Sequence, residues 1–168
     1  MSAFPQVDPT EPPSRIKALV TGIALSKPGT WFYINVASRI DPWIVRLTRG
    51  RLDSAAGLVP IVLMTARGAR SGVERTVPLV YFSDAGDPIL MASSFGRARN
   101  PAWYYNAKAS GRVRLYRRGQ GAQFDVAEVE GEERDRLFAL ATQLYRGYGI
   151  YEQRATNRRI PVLRLSQR

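Results

Sequence analysis

The sequence predicts a mixed fold built on a small antiparallel β-barrel, with helices at its ends and one helix inserted between strands. Two pairs of apolar segments are separated by tight-turn sequences, Asp84-Ala85-Gly86-Asp87 and Arg118-Gly119-Gln120-Gly121. No regular helices of about 10–15 residues alternate with the apolar segments, which disfavours a doubly wound parallel sheet. About six short strands are therefore expected to close on one another.

The elements follow in order along the chain. The apolar run 59–65 predicts a strand buried on both faces. Five further strands are predicted at residues 75–82, 88–93, 111–117, 123–130 and 160–165. Asn100-Pro101 is expected to cap and open a short helix that ends near residue 109. Residues 132–145 predict an amphipathic helix, since Leu137, Leu140 and Leu144 share one face.

The first third of the chain has a different character. Residues 1–13 are expected to form a flexible leader, residues 14–57 a helical arm and residues 58–168 the barrel domain. Ser14 and Thr30 are candidate helix caps, and Asp41-Pro42 predicts a further helix start. The arm is amphipathic and aromatic, so it either packs on the core or binds a membrane surface or partner.

Composition excludes several kinds of chemistry. The chain has 168 residues, no cysteine and no histidine, which removes disulfides, the usual zinc sites and Ser-His-Asp or Cys-His catalysis. Its acidic residues are scattered, and no metal site is predicted. Acid–base work is left to Tyr, Ser, Asp, Glu or water, or the chemistry comes from a cofactor.

The charge favours an acidic partner. The formal net charge is +11, carried mostly by arginines that are spread along the chain. Nucleic acid, anionic lipid and a polyanionic small molecule all fit this balance. No apolar run is long enough for a transmembrane helix and no secretory signal is present, so we expect a cytoplasmic protein, with peripheral membrane contact left open.

A basic, glycine-rich turn is the first candidate site. Residues 68–72 read Gly-Ala-Arg-Ser-Gly, with Arg67 before them and Arg75 after them. Glycines allow backbone N–H groups to converge on an anion, and Arg75 offers a two-pronged donor for phosphate or carboxylate. An ordinary hairpin turn with solvated arginines explains the same residues. The spacing matches neither a Walker A loop nor a Rossmann turn.

Two aromatic segments are the other candidates. Asn100 to Asn106 combines a helix N-terminus with Trp103 and Tyr104, which either pack on the core or stack on a planar ligand. Tyr145, Tyr148 and Tyr151 recur at a spacing of three beside glycines. That pattern suits a mobile lid lining a pocket, or a loop packed on the barrel end.

The order of these motifs resembles one family. T-x-x-G-x-x-S-G starts at Thr65, R-x-x-P-L at Arg75, A-S at Ala92 and N-P-x-W-Y-x-N at Asn100. This order is similar to that of the deazaflavin (coenzyme F420)-dependent nitroreductases and quinone reductases of actinobacteria. The resemblance covers residues 60–161. It implies a split β-barrel of the FMN-binding type and hydride transfer from reduced F420 to a quinone, nitroaromatic or activated enone.

The resemblance also implies roles for individual residues. Arg70, Ser71 and Arg75, with Ala69, would hold the phosphate and glutamate tail of the cofactor, and Ser94 stands where some relatives have Lys. Tyr148, Ser93, Tyr145 and Tyr151 would line the acceptor pocket and act in catalysis. The remaining cofactor-binding residues by resemblance are Thr76, Val77, Pro78, Leu79, Val80, Met91, Ala92, Ser93, Ser94, Ala102, Trp103, Tyr104, Tyr105, Asn106 and Tyr148.

Other functions stay open from sequence. An FMN-dependent reductase of the split-barrel class is the alternative enzyme. A cofactor or lipid carrier without turnover and a nucleic-acid-binding module are the non-enzymatic alternatives, although no helix-turn-helix or RNP signature is present. Because many split barrels pair, a homodimer is a class-level expectation.

Overall fold

The computed structural model describes residues 4–10, 60–155 and 157–167, and the predicted helical arm lies outside the described residues. Six strands and three α-helices follow in the order β1, β2, β3, α1, β4, β5, α2, α3 and β6. Their bounds are Ile61–Arg67, Glu74–Asp84, Asp87–Met91, Ala102–Ser110, Arg112–Arg117, Gln120–Val129, Gly131–Leu144, Gly147–Arg154 and Val162–Ser166. A short 3-10 turn, Ser94–Gly96, lies between β3 and α1.

The strands form a closed antiparallel barrel in the order β1-β2-β3-β6-β5-β4. Closure comes from β1, which pairs with β2 along its whole length and with β4 through Leu63–Tyr116, Met64–Leu115 and Thr65–Arg114. The barrel is a split β-barrel of the predicted class. Because β4 is antiparallel to β1, it begins near the β1–β2 loop and ends at the other end of the barrel. The β4–β5 turn therefore lies at the end of the barrel opposite to that loop.

The alternation of side chains along the strands builds the interior. Val62, Met64 and Ala66 of β1 face a core shared with Val113 and Leu115 of β4. The other face of β1 is also buried at Ile61 and Leu63, which confirms the predicted strand that is apolar on both sides.

Residues 4–7, which were expected to belong to a flexible leader, are packed against the barrel. The Phe4 ring is only 3% exposed and makes edge contacts with the rings of Tyr81 and Phe124. Val7 exchanges hydrogen bonds with Ser83, and the Tyr81 hydroxyl donates to the Pro5 carbonyl at 2.8 Å. A single buried aromatic ring thus anchors a segment whose sequence is otherwise polar and proline-rich.

Helices α2 and α3 cover one outer face of the barrel. Leu137, Phe138 and Ala141 of α2 form a second apolar cluster with Phe82 and Ile89 on the strands. The predicted amphipathic helix is confirmed, and it begins at Gly131.

A buried arginine joins these two helices to the last strand. Arg134 is 6% exposed, and its guanidinium donates to Glu152 at 2.5 Å and to the Ile160 carbonyl at 2.9 Å while stacking over the Phe138 ring. Because the Nε, Nη1 and Nη2 groups of this buried guanidinium all donate hydrogen bonds, the cost of removing its charge from water is offset. Arg134 therefore holds α3 against α2 and β6.

A surface ion cluster centres on Asp84 at the end of β2. Arg136 donates two hydrogen bonds to the Asp84 carboxylate, both at 2.8 Å, and Arg164 donates a third at 2.7 Å. These hydrogen bonds, that of Arg136 foremost, hold the pKa of Asp84 at about 2, below its usual 3.8. The cluster ties α2 to the barrel.

Acidification is expected to destabilise the protein through Asp84. Because the folded pKa lies below the unfolded one, the stabilisation is fully present above about pH 4 and is lost as the pH falls toward 2; it amounts to about 1–2 kcal/mol after solvent screening. Urea unfolding from pH 5.5 to pH 2 tests this. Asp84→Asn should be less stable than the wild type at pH 5.5, and most of this gap should be lost by pH 2, where half of the folded protein carries a protonated Asp84. A gap that is independent of pH would contradict it.

Candidate functional site

The β1–β2 loop is held in a fixed shape by its own hydrogen bonds. The Gly68 N–H donates to the Val73 carbonyl and the Gly72 N–H donates to the Gly68 carbonyl, both at 2.9 Å. A Cβ on Gly68 would lie 2.7 Å from Ser71 Oγ and 3.0 Å from the Val73 oxygen. Glycine at this position is therefore required by close approach within the loop.

The tip of the loop keeps two free N–H donors. The Ala69 N–H is occupied by Asn106 Oδ1 at 3.0 Å, and the Val73 N–H lies 3.4 Å from Ser71 Oγ. Within the described part of the chain, the N–H groups of Arg70 and Ser71 have no hydrogen-bond partner. Two adjacent, exposed N–H groups in a turn form a small anion-binding surface.

The arginines around this loop form no salt bridge within the described part of the chain. Arg67 donates through Nε to the Gly72 carbonyl at 3.2 Å. Arg70 and Arg75 have no carboxylate partner in those ranges, in contrast to Arg136 and Arg164 at the Asp84 cluster. Several other arginines, such as Arg118 at the β4–β5 turn, are also unpaired there. The loop therefore carries positive charge that is available to an anion.

A cleft of about 250 Å³ lies between the loop and the C-terminal end of α1. Its lining residues are Arg67, Gly68, Ala69, Gly72, Ala109 and Ser110. This volume is smaller than the usual pocket for a whole drug-sized ligand and suits a compact anionic group.

Helix α1 begins one residue later than expected. Pro101 is the N-cap and Ala102 opens the helix, and the Asn100 side chain makes no capping bond. Asn100 Oδ1 is instead buried, and it has no hydrogen-bond partner among the residues that the structure describes. The prediction that Asn100-Pro101 caps and opens the helix was therefore wrong in its register, because Pro101 keeps an extended backbone (ψ 151°).

The aromatic residues of α1 divide between the core and the surface. The Tyr104 ring is 7% exposed and its hydroxyl donates to Glu128 Oε2 at 2.9 Å; burial and the adjacent Glu128 raise its pKa. Trp103 is half-buried against the same core, whereas Tyr105 is 51% exposed. The aromatic residues of α1 therefore do not form one surface, because Tyr104 packs on the core and Tyr105 faces outward.

The middle of β2 is an apolar strip that follows the loop in the chain. Thr76, Val77, Pro78, Leu79 and Val80 are all half-buried. Val77 and Leu79 lean on the barrel interior, and the Thr76 hydroxyl lies 2.8 Å from that of Thr65. This strip of β2 is therefore partly open along its length.

After β3 the chain makes a left-handed turn. Met91 and Ala92 are buried, while Ser93 and Ser94 are half-buried. Ser94, Phe95 and Gly96 have positive φ angles of 50°, 56° and 78°, a strained run for two non-glycine residues.

Arg158 holds this turn in place. Its guanidinium donates to the carbonyls of Ser93 at 2.7 Å, Arg97 at 3.0 Å and Ala92 at 3.3 Å. Burial lowers the pKa of Arg158, and the Tyr105 phenol acts electrostatically in the opposite direction. Sequence reasoning missed Arg158 because nothing in the basic segment around it marks one arginine as a loop brace.

The three tyrosines form a packed group on α3 and its approach. Tyr148 and Tyr151 are 5% and 3% exposed, and the hydroxyls of Tyr145 and Tyr151 lie 3.1 Å apart. Burial raises the pKa of Tyr151. Of the two alternatives, a mobile lid and a loop packed on the barrel end, the structure agrees with the packed one, although the segment is a helix and its aromatic rings are buried against the α2 cluster.

The tyrosine group adjoins the left-handed turn. The Phe95 and Tyr151 rings are in edge contact at 5.6 Å, and Gly96 lies against the Tyr151 backbone. The predicted residues thus assemble in two neighbouring parts: the loop with Asn106, and the turn with the tyrosines. Tyr105 of α1 acts electrostatically on Arg158, the residue that holds the turn.

Two absences hold for the described residues. No helix there is long and apolar enough to cross a membrane. Those same ranges contain no group of three or more acidic side chains that would hold a metal ion.

The protein is thus a split barrel with a basic loop beside a partly open strand and a braced turn. Residues 37–167 match the family model described as F420H(2)-dependent quinone reductase. The chain belongs to this family, and the resemblance drawn from the motifs is confirmed. Because the family is named for F420, the FMN alternative has no support from it.

Individual relatives agree with the family. The chain is 29% identical over 133 residues to the F420H(2)-dependent quinone reductase Rv1261c of Mycobacterium tuberculosis, covering 77% of this chain and 89% of the relative. A solved F420-H2 dependent reductase, FDR-A, is 37% identical with a TM-score of 0.58 over 64% of this chain and 94% of its own. A solved domain-swapped dimer is 30% identical with a TM-score of 0.60, over 76% of this chain and 97% of its own.

Gly96 is expected to be essential to the junction between the turn and α3. A Cβ there would lie 2.6 Å from Arg154 Cβ and 2.7 Å from the Tyr151 oxygen. Gly96→Ala should cost about 2–4 kcal/mol in free energy of unfolding, combining a positive φ with overpacking.

Gly119→Ala is the matched control for this substitution. Gly119 has a similar φ of 82°, but a Cβ there would meet nothing within 4 Å. Urea unfolding should therefore give a cost about 1–3 kcal/mol smaller than for Gly96→Ala. Equal costs for the two variants would show that the close approach at Gly96 is unimportant.

Proposed function

We propose that this protein binds reduced F420 and catalyses hydride transfer to a quinone, with nitroaromatics and activated enones as further acceptors. The observation that carries the proposal is that the β1–β2 loop combines free N–H groups with arginines that form no salt bridge among the described residues, in a chain of the F420H(2)-dependent quinone reductase family. A cofactor with a phosphate and a glutamate tail needs such a surface.

The residues around the loop fit such a cofactor. Arg70, Arg75 and the N–H groups of Arg70 and Ser71 would hold its phosphate and tail. The half-open β2 strip from Thr76 to Val80, with Trp103 and Tyr105 of α1, would hold its ring. Met91, Ala92 and Ser94 would complete the surface. The 250 Å³ cleft fits the anionic part alone, so the ring would lie on the open strip.

The chemistry divides between cofactor and protein. Reduced F420 supplies a hydride when bound. The protein orients the reactants and stabilises the acceptor oxygen that gains negative charge. We assign that role to the Ser93 hydroxyl and to the Tyr148 phenol on the adjoining helix, with Tyr145 and Tyr151 supporting Tyr148 by ring contacts.

Binding is the first test. Fluorescence titration of the purified protein with oxidised F420 should show saturable binding, and FMN in parallel should bind far more weakly. Arg75→Gln should weaken F420 binding about 10- to 100-fold, since a charge-assisted hydrogen bond is worth about 1.5–3 kcal/mol. Arg118→Gln, which removes an arginine at the opposite end of the barrel, should leave it within about twofold.

Other outcomes of this titration would redirect the assignment. Preference for FMN would make the protein a flavin reductase. Binding of neither cofactor, together with tight binding of nucleic acid that falls steeply with salt, would replace the oxidoreductase proposal. F420 binding without turnover would indicate a carrier.

Turnover is the second test. With reduced F420 and menadione, a soluble naphthoquinone, Ser93→Ala and Tyr148→Phe should each lower kcat about 10- to 100-fold through loss of a hydrogen bond in the transition state. Tyr116→Phe, which removes a phenol on the outer face of β4, is the matched control and should retain kcat. An unchanged kcat in Tyr148→Phe would remove that phenol from the mechanism.

A further inference from the structure

Helix α1 is attached to the barrel on one side and to the anion loop on the other. Tyr104 and Lys108, one turn apart, both donate to Glu128 Oε2 of β5, at 2.9 and 2.5 Å. Asn106 lies between them in sequence, so it projects from a different side of the helix. There its Oδ1 accepts the Ala69 N–H at 3.0 Å.

This arrangement changes what Asn106 can do. Its amide oxygen is already engaged by the protein's own backbone, although the motif resemblance gives Asn106 a place among the cofactor contacts. The Ala69 N–H is also consumed, so it is unavailable to an anion. What remains at the loop tip is the pair of N–H groups on Arg70 and Ser71, which directly follow the residue that Asn106 holds.

The loop's own hydrogen bonds close it at its two ends. They join Gly68 with Gly72 and Val73, Arg67 with Gly72, and the Val73 N–H with the Ser71 hydroxyl. None of them holds the peptide N–H groups of residues 69–71. The contact with Asn106 is the one hydrogen bond that joins this tip to another element in the described residues. Without it, the Ala69 peptide would gain freedom to turn, and the N–H groups that follow it would lose their common direction.

We infer that Asn106 is a positioning residue: it fixes the β1–β2 loop so that the Arg70 and Ser71 N–H groups converge on the anionic part of the ligand. This inference rests on the proposed function and deepens it, because it assigns Asn106 to recognition of the phosphate and tail and not of the ring. Glu128 sets the orientation of α1 from the other side and so supports Asn106 indirectly.

The binding experiment compares F420 with its tail-less analogue, which has the same ring and ribityl chain but lacks the phosphate and glutamates. Asn106→Leu keeps a similar side-chain size but removes the acceptor. It should raise the Kd for F420 about 5- to 20-fold and change the Kd for the analogue by less than twofold. A general loss of structure would weaken both ligands equally, and that result would overturn the inference.

Asn106→Asp is the conservative variant. Its carboxylate still accepts the Ala69 N–H but adds a negative charge beside the arginines. In the ligand-free protein, amide hydrogen exchange at Ala69 should be faster in Asn106→Leu than in the wild type and should be restored in Asn106→Asp. F420 affinity should nevertheless stay low in Asn106→Asp. Unchanged exchange at Ala69 in Asn106→Leu would contradict the inference.

Inorganic phosphate separates this inference from the proposed function. Titrated phosphate should shift the amide NMR signals of Arg70 and Ser71 in the wild type and should do so at several-fold higher concentrations in Asn106→Leu. This result would uphold the role of Asn106 even if F420 itself failed to bind. Identical phosphate titrations in the two proteins would overturn it.

Discussion

Closure of the barrel by the pairing of β1 with β4 is the constraint on which the rest of the structure depends. Because β1 also pairs with β2, its end at Arg67 fixes where the basic loop emerges. The same closure places β5 within reach of α1, so that Glu128 can hold Tyr104 and Lys108. The β1–β2 loop is thereby held against α1 through Asn106, and the position of α1 is itself set by its contacts with β5.

The distribution of charge partners separates structural arginines from candidate binding ones. Arg134, Arg136 and Arg164 are engaged with carboxylates and fix helices α2 and α3 to the barrel. Arg70 and Arg75 have no such partner among the described residues, so their charge is available to an anion. The lack of a salt bridge alone does not mark a binding site, because Arg118 at the opposite end of the barrel also has none in those ranges; the free N–H groups of Arg70 and Ser71 are the second feature of the loop.

Much of the fold could be predicted because its signals are local. Short apolar segments bounded by turn residues located all six strands of the described residues, and the two hairpin turns follow from Gly-containing sequences. The tyrosine segment could not be predicted in this way. Glycines at 147 and 149 favour mobility locally, but burial of the Tyr148 and Tyr151 rings against α2 outweighs that preference. The burial of Phe4 could not be predicted either, because a single aromatic residue in a polar, proline-rich segment forms no periodic pattern.

The sequence by itself determined the barrel class, the basic loop and the family, because periodicity, turn chemistry and motif order are properties of short stretches read in order. Only the tertiary structure decided which polar atoms are already occupied. Asn106 accepts the N–H of Ala69, which lies 37 positions earlier in the chain. Arg158 donates to the carbonyl of Ser93 in the left-handed turn, which lies 65 positions earlier. Hydrogen bonds of that range are set by how the barrel closes, and no local pattern encodes them.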